Sequence, residues 1–242
     1  MRRPTFPNRI RKERGFTLVE LVVVMAAGMV VATALFTILD VTLRQTTRTF
    51  SRVDATQRAR TVLERVESEL HSACVANKVQ PIIAGTNGTT NGTQVSFWSA
   101  YGNAVNPTPV KKVISFDSTA GKLIETTYPL ASGISPTTWV PSGTATKTET
   151  LLTNVAQSGS VPVFQYYELR EPANTAALPA NPLSVTNAEN TSVVQITLVV
   201  KPTGGSHQNV NLAANTVTNS ALLRLTPPTN IDGTPQEYPP CV

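Results

Sequence analysis

The stretch from Leu21 to Leu39, 19 residues without a charge, constrains this chain more than any other. It is long enough to cross a bilayer core of about 30 Å as a helix. Ten of its residues are Leu, Ile, Val or Phe. Each favours insertion by roughly 0.3–0.6 kcal/mol, so together they contribute about 3–6 kcal/mol. Before the run stand a basic cluster ending at Arg14-Gly15 and a neutral box, Phe16-Thr17-Leu18-Val19, closed by Glu20. A carboxylate at the membrane end of a helix needs a partner, because ionisable groups are expensive at that depth. No Lys or Arg lies between Gly15 and Arg44 to supply one. A cut between Gly15 and Phe16 would create an α-amine four residues ahead of the acid, and with a pKa of about 7.7–8 that amine is mostly cationic at neutral pH. The amine of a neighbouring copy then becomes a candidate partner for Glu20 in lipid.

The string Arg11-Lys12-Glu13-Arg14-Gly15-Phe16-Thr17-Leu18-Val19-Glu20 closely resembles the cleavage and methylation box of type IV prepilins and type II secretion pseudopilins. That resemblance covers about residues 9–43. It implies a scissile bond between Gly15 and Phe16, a membrane prepilin peptidase that cuts there, N-methylation of Phe16, and Glu20 as the acid that guides assembly. Two other readings of the same residues stay open. Ala32-Thr33-Ala34 has the form of a signal-peptidase site, although the apolar run continues past it through Leu35, Phe36, Ile38 and Leu39, and a signal core has no use for Glu20. An uncut signal anchor is the other.

The charge balance narrows the partners. Residues 1–15 hold six of the 20 Lys and Arg and one of the 15 acids, whereas from Phe16 onward basic and acidic side chains number 14 each. The high isoelectric point of about 9.4 therefore belongs to the leader, where positive charge retains the N-terminus in the cytoplasm. No nucleic-acid partner is expected unless the filament serves DNA uptake.

Proline and glycine divide the remainder. No proline occurs between Pro7 and Pro81, and Gly28 is the sole glycine between Gly15 and Gly85. One helix from Phe16 to about Cys74 follows, about 59 residues or roughly 88 Å. Beyond Asp40, Arg44, Arg48 and Arg52 share one face, suited either to acidic lipid or a neighbouring subunit, or simply to water. Ala59, Val62, Leu63, Val66, Leu70 and Ala73 form an apolar stripe that predicts packing on a sheet over residues 53–74. Glu64, Glu67 and Glu69 with Arg58, Arg60 and Arg65 are assigned to the other face. Strands are predicted at residues 94–99, 111–116, 123–128, 163–169, 193–200 and 222–225, with a hairpin over Ser115–Leu123. The Thr-, Asn-, Pro- and Gly-rich gaps 84–93, 129–148, 171–191 and 202–220 read as long loops.

The fold class expected is α+β: a long N-terminal helix packed on a C-terminal antiparallel β-sheet head. The expected divisions are a removed leader 1–15, a transmembrane and assembly helix 16–43, its amphipathic continuation 44–76, and a β-rich head 77–242. The order Lys112–Phe116, Gly121–Ile124, Leu151–Val155, Phe164–Glu168 and Val194–Leu198 is similar to J-type minor pseudopilins and W-type minor pilins. This resemblance implies a pilin-like lollipop, a place at or near a filament tip, and a role in priming assembly. The partners it implies are the prepilin peptidase, other pilin or pseudopilin subunits through the N-terminal helix, an inner-membrane assembly platform, and the cytoplasmic membrane with the head outside.

The two cysteines, Cys74 and Cys241, both lie across the membrane from the leader, where a disulfide persists. Pairing would close a loop of about 167 residues, worth about 4–5 kcal/mol at most; two independent thiols are the alternative. No catalytic constellation, metal site or cofactor site is expected. His71 and His207 lack ligand-like neighbours; Asn230-Ile231-Asp232-Gly233-Thr234 lacks the later acids of a calcium loop and reads as a turn. A membrane-anchored or secreted adhesion module is the remaining functional alternative.

Overall fold

Leu18–His71 forms a single 54-residue helix, α1. A computed structural model describes residues 17–74, 81–85, 90–99, 108–133, 139–170, 174–202 and 214–223. Continuity over 15 turns follows from the absence of proline, which would remove a backbone donor and clash with the preceding turn. The predicted end at Cys74 is three residues late. Ser72 Oγ turns back onto the Glu69 carbonyl at 2.8 Å, and Cys74 N donates to the Trp98 carbonyl at 2.8 Å, leading the chain onto a sheet edge. The chain divides into two compact units inside α1, between Arg48 and Thr49.

In the second unit two antiparallel sheets share a core with the C-terminal part of α1. The first contains β1 (Gln94–Ser99), β2 (Val110–Asp117), β3 (Lys122–Ser132), β4 (Val140–Pro141) and β5 (Lys147–Thr153), in the order β1-β2-β3 with β4 and β5 both paired to β3. The second contains β6 (Val155–Ala156), β7 (Phe164–Arg170), β8 (Asn174–Leu178), β9 (Val193–Val200) and β10 (Asn215–Leu222), in the order β10-β9-β7-β8 with β6 also on β9. A short helix α2 (Val185–Asn190) is capped by the Ser184 hydroxyl, which accepts from Asn187 N at 3.1 Å. The expected α+β class, a long helix followed by antiparallel sheet, is the one observed.

Alternation sets the inward faces. Val95 and Phe97, Ile114 and Phe116, and Phe164 and Tyr166 are buried, as are Val194, Ile196, Leu198 and Val200. They meet Ala59, Leu63, Val66, Leu70 and Ala73, with Val62 partly buried, the stripe expected from the sequence, and also Ala55, one turn earlier on α1. The predicted hairpin joins β2 to β3 with Asp117 opposite Lys122. The Asp117 carboxylate accepts from Thr119 N and Ala120 N at 2.9 Å each, and Gly121 supplies the positive φ of +61° that closes the turn.

Three loop expectations are corrected. Residues 202–220 are not all loop: β10 begins at Asn215 and pairs residue for residue with β9 to Leu222, whereas the strand was expected at 222–225. Its sequence Asn-Thr-Val-Thr-Asn-Ser-Ala-Leu shows little apolar signal, because Val217 and Ala221 are its only two deeply buried positions. An aliphatic neighbour, β9, provides the ladder that propensity does not. Likewise β8 and α2 lie within 171–191, and β4 and the start of β5 lie within 129–148.

Leu63, 1% exposed, sits where helix and sheets meet. Leu63→Ala is expected to lower head stability by about 2–5 kcal/mol, read as the midpoint shift in chemical denaturation of the detergent-solubilised chain.

Candidate functional site

Two features of α1 carry chemistry, one at its start and one near its end. At the start, Glu20 occupies the third position after the N-cap, Thr17. Glu20 N donates to Thr17 Oγ1 at 3.3 Å, while Thr17 N and Oγ1 both lie 3.4 Å from Glu20 Oε2. This reciprocal arrangement is a capping box, and it gives Glu20 the local partner that the sequence did not reveal. Both contacts to the carboxylate are longer than an ordinary 2.7–3.2 Å hydrogen bond. A carboxylate with about four acceptor sites thus retains capacity for a further, cationic donor.

From Leu18 to Leu43 the helix exposes apolar side chains on every side. Leu21, Val30, Phe36 and Ile38 are all more than half exposed, and this is the one described helix long and apolar enough to cross a membrane. The hydroxyls within it turn inward to the helix backbone. Thr33 Oγ1 donates to the Met29 carbonyl, Thr37 to Ala34 and Thr42 to Ile38, each at 2.8 Å. Such back-bonding leaves no hydroxyl for lipid to desolvate. Of the arginine row, Arg44 pairs with Asp40 at 2.9 Å one turn away, and Arg52 donates to Asn215 Oδ1 of β10 at 2.9 Å. Both contacts are intrachain, so neither side chain is wholly given to water.

Near the C-terminal end, Glu69 and Arg65, expected only to fill the helix surface beside the apolar stripe, join a charged cluster instead. Glu69 is fully buried. Its Oε1 accepts from Arg65 Nε at 3.1 Å, and its Oε2 lies 3.0 Å from Lys112 Nζ, an ion pair without hydrogen-bond alignment. Lys112 Nζ also donates to Glu125 Oε1 at 2.9 Å. Arg65 donates to Glu125 Oε2 at 2.9 Å and reaches both oxygens of Glu149 at 3.4 and 3.1 Å; Lys147 Nζ closes the outer side at 2.7 Å from Glu149. Three carboxylates and three cations therefore join α1 to β2, β3 and β5. A readable signal existed: Lys112 alternates with the core residues Ile114 and Phe116, and Glu125 with Leu123, so both point inward.

Burial is the main force raising the Glu69 carboxyl above its ordinary value; Lys112 opposes it and the Glu125 carboxylate adds to it. Glu149, at the rim, is held down to about 2, chiefly by Arg65 and then by Lys147. The Arg65 guanidinium is raised, first by its hydrogen bonds to Glu149, with burial opposing.

The other sequence-derived positions separate. Gly15, Phe16, Cys241 and His207 lie outside the described residues. Cys74 is buried, 1% exposed, where the chain enters the sheet, and no described cysteine is free. Among the described residues, no group of three or more His, Cys, Asp or Glu is arranged to hold a metal ion.

The start of α1 is thus an exposed helix, long and apolar enough by length and composition to cross a membrane, with a capping carboxylate in its first turn. Residues 10–36 match the family model for the prokaryotic N-terminal methylation motif. The match covers only this N-terminal stretch, 27 of the 242 residues. No curated protein matches the chain.

Lys112→Met is expected to destabilise the head by about 3–5 kcal/mol, because Glu69 and Glu125 lose the cation they share in a buried site. Glu69 has the opposite signature. A carboxyl raised in the folded state adds stability that is complete below the unfolded value near 4.5 and is lost as pH rises through the folded value. Glu69→Gln should therefore remove a fall in head stability that sets in as pH rises above about 4.5, measured by denaturant titration across pH.

Proposed function

We propose that this chain is a minor pilin or pseudopilin that works by assembly rather than by catalysis. A leader, residues 1–15, is removed by a prepilin peptidase between Gly15 and Phe16, and Phe16 is N-methylated. Residues 16–43 then hold the subunit in the cytoplasmic membrane, with the continuation 44–76 and the head, residues 77–242, outside. The observation that carries this reading is the coincidence, within 10–36, of the methylation motif with an all-round apolar helix.

In assembly the apolar half of α1 exchanges lipid for the helices of neighbouring subunits, so little hydrophobic free energy is lost. Register comes from Glu20. Its capping contacts are long, and the α-amine of a neighbour's Phe16 supplies the cation that an acid in an apolar core needs. Repeated head-to-tail contact of this kind generates an open helical filament. The similarity to J-type and W-type minor subunits supports a place at or near the tip of a type IV pilus or secretion pseudopilus, where the subunit primes assembly on an inner-membrane platform. A Cys74–Cys241 disulfide, formed on the oxidising side, would anchor the C-terminus to the end of α1.

Glu20→Val tests the role of the acid. The variant is expected to be cleaved as usual and to accumulate in the membrane, with its recovery in sheared filaments sharply reduced. Normal incorporation would remove Glu20 from the assembly mechanism.

A further inference from the structure

Beside β7 the second sheet leaves a gap. β8 pairs with β7 only from Tyr166 to Arg170, and after Leu178 the chain turns away through Pro179, Ala180 and Asn181. The result is a cleft of about 520 Å³, within the usual 300–1,000 Å³ of a ligand site. Its floor is Phe164 and Tyr166, and its walls are the turn Asn91–Thr93 with Pro162 on one side and Ala177–Asn181 on the other.

Both walls are fixed by hydrogen bonds. Tyr166 donates its hydroxyl to the carbonyls of Asn91 at 3.1 Å and Gln94 at 3.0 Å, and Phe164 N donates to the Gly92 carbonyl at 3.0 Å. Across the cleft, Asn187 Nδ2 holds the Pro179 carbonyl at 3.1 Å, and Leu183 N reaches the Thr90 carbonyl at 3.0 Å. The opening thus exists before any ligand enters, which spares the ordering cost of binding.

Its chemistry is selective. No lining residue is charged, and the walls are mostly proline, alanine and leucine. The side-chain amides of Gln157, Gln165 and Asn181 line it without a hydrogen-bond partner among the described residues. Next to it β8 ends the sheet order, so its outer edge pairs with no described strand; Asn174–Ser184 carries no charge to repel one. Phe164 and Tyr166 are too buried to offer a ring face to a sugar. A strand edge without a partner among the described residues offers backbone hydrogen bonds, and an adjoining pocket reads side chains; together these are the parts of a strand-addition site.

We propose that this cleft and the β8 edge bind an uncharged, extended peptide segment of another protein, with Gln165 and Asn181 pairing to its backbone amides. The site lies in the head and stands independently of cleavage at Gly15.

The test uses the full chain in detergent and three probes: a capped heptapeptide of alternating Thr and Ala, the same peptide with Glu in place of Thr, and an N-acetylglucosamine tetramer. Hydrogen exchange followed by mass spectrometry is read at residues 174–178. The neutral peptide should protect this strand, and Gln165→Ala with Asn181→Ala should weaken it about five-fold or more, the scale of losing two neutral hydrogen bonds. The double variant should keep the wild-type unfolding midpoint. No protection by the neutral peptide, equal protection by the acidic one, protection by the sugar alone, or an unweakened double variant would each overturn the proposal.

Discussion

Everything in this chain depends on one helix having to satisfy two solvents. From Leu21 to Leu39 α1 is apolar around its whole circumference, and between the Glu20 carboxylate and Asp40 its only side-chain polar groups are hydroxyls already turned onto the backbone. An isolated surface of that kind is unstable in water; it needs lipid or other helices. The second half confines its apolar residues to one stripe and buries them under two sheets. A sequence free of proline between residues 7 and 81 lets both stretches belong to one continuous helix.

Within the head the attachment of that rod is not purely hydrophobic. Arg65 and Glu69 on α1 interlock with Lys112, Glu125 and Glu149 on three strands. Buried ion clusters of this sort add little net stability over a hydrophobic replacement, yet losing one member is costly. Their contribution is directional: apolar stripes tolerate sliding, whereas a carboxylate fixed between a guanidinium and an ammonium permits one register of helix against sheet.

How much of this was legible follows from which residues announce themselves. The apolar run and the methylation motif of residues 10–36 are local in sequence and were readable outright, as were β1, β2 and β9, whose aliphatic or aromatic alternation is strong. β10 and β8 were not. Their inward positions are small or few and the rest are Thr, Asn and Ala, so composition points to loop while pairing with a strong neighbour makes strand. Glu69 was misassigned because a carboxylate beside an apolar stripe is usually solvated; only the inward phase of Lys112 and Glu125 on distant strands betrays it. Thr17-x-x-Glu20 is itself a helix-start signal, and the structure realises it as a capping box.

Assembly through Glu20 depends on a cut that frees the Phe16 amine. The direct measurement is the intact mass and N-terminal residue of the membrane-extracted protein, from cells with and without prepilin peptidase. A peptidase-dependent chain beginning at N-methylated Phe16 is the predicted result. A chain beginning at Leu35, or one retaining Met1 in both strains, would contradict it.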